Sequence, residues 1–149
     1  VVIRTSLLSK LVLINHFLNH VAADALTNSK NKEYFTNQKI FFKNISDNIE
    51  KELNTDSKII SSKFEGAWYK WIDLNNYSVE LELMGINNSE ELTSRLASEI
   101  GIIVVPGKSF GTEGLTFRIS MIDEKMFLGI RKLIEWLNRG TEHPSTSSR

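Results

Sequence analysis

The stretch Ile100-Gly101-Ile102-Ile103-Val104-Val105-Pro106-Gly107-Lys108-Ser109-Phe110-Gly111, with Gly114 and Phe117-Arg118-Ile119-Ser120 close behind it, decides how the chain is read. Gly101 supplies the left-handed stop of a preceding helix. Residues 102–105 form a short apolar run of strand type, 106–114 a glycine-rich loop, and 115–120 a second strand. Arg118 sits inside that strand between Phe117 and Ile119, which share the opposite face. An arginine within a strand must find a carboxylate, a phosphate or water. A salt bridge within the sheet is the plain structural reading, and a bound anion is the functional one.

Working outward, 88–100 is a helix with Asn88 as N-cap and Glu91 at its third position, a capping-box arrangement, and Leu92, Leu96 and Ile100 form its buried stripe. Before it, 59–64 and 67–74 flank Glu65-Gly66 and are rich in β-branched and aromatic residues, which predicts two strands. Trp68 and Trp71 fall on opposite faces of the second, so one of them is expected to meet a neighbouring domain. Further back, Leu7, Leu11, Ile14, Leu18 and Ala22 follow a 3.6-residue period and predict a helix over 7–26, with an apolar face wide enough for burial on more than one side. Thr27-Asn28-Ser29 punctuates the chain, and a longer helix is expected over 30–53, its core stripe being Phe35, Phe42, Ile45, Ile49 and Leu53. Asn54-Thr55-Asp56 ends it. Downstream, Asp123 caps a last helix that runs to about Asn138 with Met126, Phe127, Ile130, Leu133, Ile134 and Leu137 inward, and Gly140 is read as its stop. Residues 141–149 carry no apolar side chain and are expected to be disordered. The order of elements describes an α+β layer: a small, mostly antiparallel sheet covered by helices.

The composition narrows the function classes. The 149 residues suffice for one compact domain and fall short of the two that many cofactor enzymes need. With 41% apolar and 24% charged residues, a chain disordered throughout, a collagen and a coiled coil are all set aside. The longest apolar runs, 11–14 and 102–105, are far short of a membrane span. The 18 basic and 18 acidic side chains cancel, so no global field recruits nucleic acid or anionic lipid. Without cysteine there is no disulfide scaffold, thiolate metal site or catalytic thiol. The chain opens on Val1-Val2-Ile3-Arg4, where no signal peptide can be read, and we expect a piece of something longer, located in the cytoplasm.

Several short patterns have a plainer reading beside the functional one. His16, His20 and Asp24 are four residues apart on one helical face, as a metal site would need, but no Glu of the HExxH kind accompanies them. A polar stripe on a packed helix is the better reading, and no metal is expected. Gly107-Lys108-Ser109 ends like a phosphate-binding P-loop, yet the first glycine of that motif would fall on Ile102. Ser9-Lys10 sits in an apolar helix start, where the lysine snorkels to the surface. Asn44, Asn76 and Asn87 each begin an N-x-Ser/Thr triplet, and nothing else points to secretion.

The chain resembles the class I/II aminotransferases, the fold-type I pyridoxal-phosphate enzymes. Glu65-Gly66-Ala67-Trp68-Tyr69-Lys70-Trp71-Ile72-Asp73-Leu74 is similar to their "GGFYLWIDL" strand, and 102–120 to their "VVPGSSFG…G…RIS" signature. The segment 123–137 looks like their closing helix, and Ala22-Ala23-Asp24-Ala25-Leu26 like the stretch before their long interdomain helix. The resemblance implies the end of the large domain and the connecting helix in 1–27, a C-terminal small domain in 28–140, and the tail in 141–149. It also implies that Arg118 binds the α-carboxylate of the substrate, an amino acid or 2-oxo acid, for which a two-pronged guanidinium is suited. The loop 107–111 would shape the substrate side of the cleft. The Schiff-base lysine and the groups that hold pyridoxal phosphate would lie in an upstream large domain, so the segment alone is expected to be inactive. The family's homodimers and its other reactions (lyase, synthase, decarboxylase) are implied as well. A module that kept this fold and lost catalysis is the remaining alternative.

Overall fold

The computed structural model describes residues 16–141, and the side chains of 18–140. The chain divides between Lys39 and Ile40 into two compact units, each described by itself. The first contains helix α1 (His16–Thr27), a short 3-10 turn (Ser29–Asn31) and the start of helix α2 (Lys32–Leu53). The Asn28 side chain caps the turn by accepting from the Lys30 amide at 3.0 Å, as the Thr-Asn-Ser punctuation predicts. Residues 7–15 of the expected first helix lie outside the described residues. In its described part Leu18, Val21 and Leu26 are exposed, so the wide burial expected of this helix is not seen within the chain. Phe35, assigned to the core stripe of the second helix, is likewise exposed; the buried stripe of α2 starts at Ile45 and continues through Ile49 and Leu53. The reason is that the sheet packs against the C-terminal half of this helix.

The second unit is built on four short strands: β1 (Ile60–Ser61), β2 (Tyr69–Asp73), β3 (Val105–Pro106) and β4 (Thr116–Ser120). They pair antiparallel throughout in the order β1-β2-β4-β3. Helix α3 (Ser78–Leu83), absent from the sequence reading, follows a 3-10 turn at Asn75–Tyr77; helix α4 (Ser89–Ile100) and helix α5 (Met126–Thr141) complete the unit. The register sets Lys70 opposite Ile119 and Ile72 opposite Phe117 on one face of the sheet, and Trp71 opposite Arg118 on the other. Ile72, Phe117 and Ile119 are buried with Ile45, Ile49, Leu92, Leu96 and Leu133, so α2, α4 and α5 all pack on that one face. This is the α+β layer expected from the order of elements.

The elements end where their local chemistry says they must. Asn88 accepts from the Glu91 amide at 2.9 Å, while the Glu91 carboxylate reaches back to the Asn87 amide at 2.7 Å, one residue earlier than a capping box requires. Gly101 takes φ +71° and stops α4 as expected. Gly140, in contrast, does not stop α5, which continues to Thr141. It is packed so closely on Met84 that a Cβ there would lie 2.5 Å from the sulfur. The strands are also shorter than the β-propensity suggested. Gly66 and Ala67, with φ of +151° and +60°, turn the chain just before β2, and Trp68 therefore precedes the strand instead of belonging to it. Residues 102–104 precede the two-residue β3 and peel away from β4, opening an apolar groove of ≈ 480 Å³ against α5.

Candidate functional site

The face of the sheet opposite the helices carries Tyr69, Trp71, Arg118 and Ser120, none of them fully buried. The chain arrives over it at Gly107. A Cβ at that position would overlap Thr116 Oγ1 and lie 2.5 Å from Thr112 Oγ1, so only glycine lets the backbone cross β4 there. The following 3-10 turn (Gly107–Phe110) is held by the Lys108 amide donating to Ser89 Oγ at 3.2 Å and by the Gly111 amide donating to the Lys108 carbonyl at 3.0 Å. The turn ends by setting the Phe110 ring against Arg118.

Arg118 is half-buried, and its guanidinium carbon lies 4.0 Å from the centre of the Tyr69 ring and 4.5 Å from that of Phe110. Trp71 supports Phe110 edge-on, with ring centres 5.8 Å apart. Among the described residues no carboxylate forms an ion pair with Arg118. Its Nε is buried and has no hydrogen-bond acceptor. The salt bridge within the sheet that the pattern allowed is therefore not formed; two aromatic faces take its place. A buried unsatisfied donor costs about 1–3 kcal/mol, and such a group calls for a reason.

The cations nearby are already engaged. Glu90 holds the Lys108 ammonium at 2.8 Å and keeps its pKa above the ordinary lysine value. Lys70, buried on the helix side of the sheet, donates to the Glu50 carboxylate of α2 and to the Ser62 carbonyl at 2.7 Å. Its position in the strand gave no sign of burial, since Lys is rarely enclosed; only the packing of α2 brings a carboxylate beneath it. Trp136, also missed in the inward set of α5, is buried and donates from its indole to Glu99 at 2.7 Å. His20 and Asp24 lie on α1, and no cluster of three metal-ligating groups occurs among the described residues. No helix among the described residues is long and apolar enough to cross a membrane.

The groups around Arg118 do not fit pyridoxal phosphate. The Lys108 and Gly111 amides of the 107–111 turn are spent within the fold, and Lys70 and Lys108 are both tied to carboxylates. The two lysines that flank this face are therefore not free to meet an aldehyde.

Comparison with known proteins agrees with this architecture. The family model for aminotransferase class I and II matches residues 4–131, and the chain belongs to that family. It is 27% identical over 121 residues to the probable aspartate/prephenate aminotransferase of Aquifex aeolicus (strain VF5), a match covering 80% of this chain and 29% of that protein. It is similar in fold to the solved structure of the Thermus thermophilus aspartate aminotransferase tetra mutant 1, with a TM-score of 0.57 and 24% identity over 78% of this chain and 29% of that one. The chain thus spans 29% of the length of the curated relative it matches. The small antiparallel sheet covered by helices is the aminotransferase small-domain fold.

Proposed function

We propose that this chain is the C-terminal part of a pyridoxal-phosphate-dependent aminotransferase that exchanges amino groups between amino acids and 2-oxo acids. Within it, Arg118 binds the α-carboxylate of the substrate. The observation that carries the reading is an arginine on the helix-free face of the sheet with no carboxylate partner among the described residues, in a chain of this family. The planar donors of a guanidinium match a carboxylate in two-pronged fashion. Residues 1–27 belong to the end of the large domain and the connecting helix, 28–140 to the small domain, and 141–149 to a tail. The cofactor belongs to the large domain outside this chain and carries the electron-sink chemistry. The 149-residue segment is inactive alone, and the full protein is a cytoplasmic homodimer. Lyase, synthase and decarboxylase chemistry of the same fold is the second reading, and the loop 107–111 shapes the substrate side of the cleft in either case.

The test is Arg118→Lys in the full-length protein. Losing a hydrogen bond to a charged group costs about 1.5–3 kcal/mol, which is roughly a ten- to hundredfold fall in kcat/KM. The fall is expected for amino and oxo acid alike, with the cofactor spectrum and Tm unchanged. Near-normal kinetics with a lowered Tm would leave Arg118 as a structural residue of the sheet.

A further inference from the structure

We propose that Tyr69 and Phe110 are positioning residues that fix the orientation of the planar Arg118 guanidinium, so that its edge donors are aimed at a carboxylate. The inference rests on the carboxylate-binding reading of Arg118 and goes beyond it by assigning two further residues. Both rings approach the guanidinium within cation–π distance, at 4.0 and 4.5 Å, and they come from independent elements. Tyr69 is in β2, the neighbouring strand, whereas Phe110 closes the turn after β3. A structural role alone does not account for the pair. Both rings remain more than two-fifths exposed, at 41% and 46%, so neither is a core residue of this unit.

The chemistry follows from the geometry. An arginine side chain has many rotamers, and ordering it at the moment of binding weakens the interaction. Rings packed on the guanidinium fix its orientation beforehand. They supply no hydrogen-bond acceptor of their own to the edge donors, which stay unspent until a carboxylate arrives. The unsatisfied Nε is the counterpart of this arrangement: the aromatic surroundings exclude protein acceptors along with water. Trp71 steadies Phe110 from the side. The clamp acts on binding in general, and its loss raises KM more than it lowers kcat.

The experiment uses full-length protein carrying Tyr69→Leu, Phe110→Leu, Tyr69→Phe, Phe110→Tyr or Arg118→Lys. Butyrate, a carboxylate with no amino group to react, is titrated into each by calorimetry, and KM and kcat are measured in parallel. Each Leu variant is expected to bind butyrate roughly three- to tenfold more weakly and to raise KM by a similar factor at near-constant kcat. Tyr69→Phe and Phe110→Tyr keep the ring and are expected to retain wild-type affinity. If both Leu variants bind butyrate like wild type while Arg118→Lys weakens it, the clamp is overturned and the carboxylate role of Arg118 stands. If Arg118→Lys binds butyrate like wild type, the carboxylate role itself falls. Should Tyr69→Leu fail to fold, Phe110→Leu decides by the same titration, because its ring sits on an exposed turn outside the strands.

Discussion

Lys70 of β2 is enclosed beneath the sheet with its ammonium on the carboxylate of Glu50 from α2, and the two partners differ in their access to water. The lysine side chain is 1% exposed and the glutamate 32%. Removing one partner of a buried pair strands the other charge, and the cost depends on whether that charge can rehydrate. Glu50→Ala leaves an enclosed ammonium with only the Ser62 carbonyl as a strong acceptor and is expected to cost about 3–5 kcal/mol. Lys70→Met leaves a carboxylate that still reaches solvent and is expected to cost less than half as much. Urea unfolding of both variants tests the order, and a larger loss for Lys70→Met would contradict it.

A second tie between elements depends on pH. Arg131 of α5 donates to Glu52 of α2 from Nε at 3.1 Å and from a terminal nitrogen at 2.5 Å. That hydrogen-bonded pairing holds the Glu52 carboxyl below its ordinary value of 4.5. A carboxylate with a depressed folded pKa stabilises the fold fully above its unfolded pKa, and the contribution disappears as the pH falls through the folded value. Glu52→Gln should therefore be less stable than wild type at pH 7, with the gap in Tm closing below pH 4.5. A gap that persists at pH 2–3 would mean that the carboxylate charge is not what matters.

The crossing at Gly107 makes a sharper prediction. Adding a methyl group there drives it into Thr116 Oγ1 and Thr112 Oγ1, with the Thr116 carbonyl 3.0 Å away. Overpacking of this kind costs about 1–3 kcal/mol. Gly107→Ala is expected to lower stability by that amount and to displace the turn that carries Phe110, whereas Gly111→Asn is expected to be milder, because its φ of +78° suits Asn and a Cβ there meets nothing. Equal Tm values for Gly107→Ala and wild type would show that the turn can move away from β4 freely.

Much of this fold is legible in local sequence because caps and periodicity act over a few residues. Asn28, Asn88 and Gly101 mark helix boundaries through hydrogen bonds or backbone conformations of their own. The stripe of α4 and the Phe117/Ile119 face of β4 follow equally, since one side of each element is apolar. Strand lengths were overestimated because β-propensity describes what fits a half-buried pleat and carries no information about where a partner strand ends. The short helix α3 escaped for a related reason: at six residues it is held by tertiary contacts of Leu81, and propensity alone cannot mark it. Gly140 shows the same limit from the other side, a local stop signal overridden by packing on Met84.

For the candidate site, the sequence by itself determined that an arginine stands within a strand, on the face away from its apolar neighbours, after a glycine-rich loop. Those are consequences of a two-residue period and of glycine's freedom, and both are local. The tertiary structure decided what surrounds that arginine. The register of β2 against β4 set Trp71 opposite it and Tyr69 beside it, and the crossing at Gly107 brought Phe110 over it. Which carboxylates came near which cations was likewise a matter of packing: Glu50 went to Lys70, Glu90 to Lys108 and Glu52 to Arg131, and among the described residues none to Arg118. Ion pairing joins residues far apart in the chain, and its distances exist only once the helices have settled on the sheet.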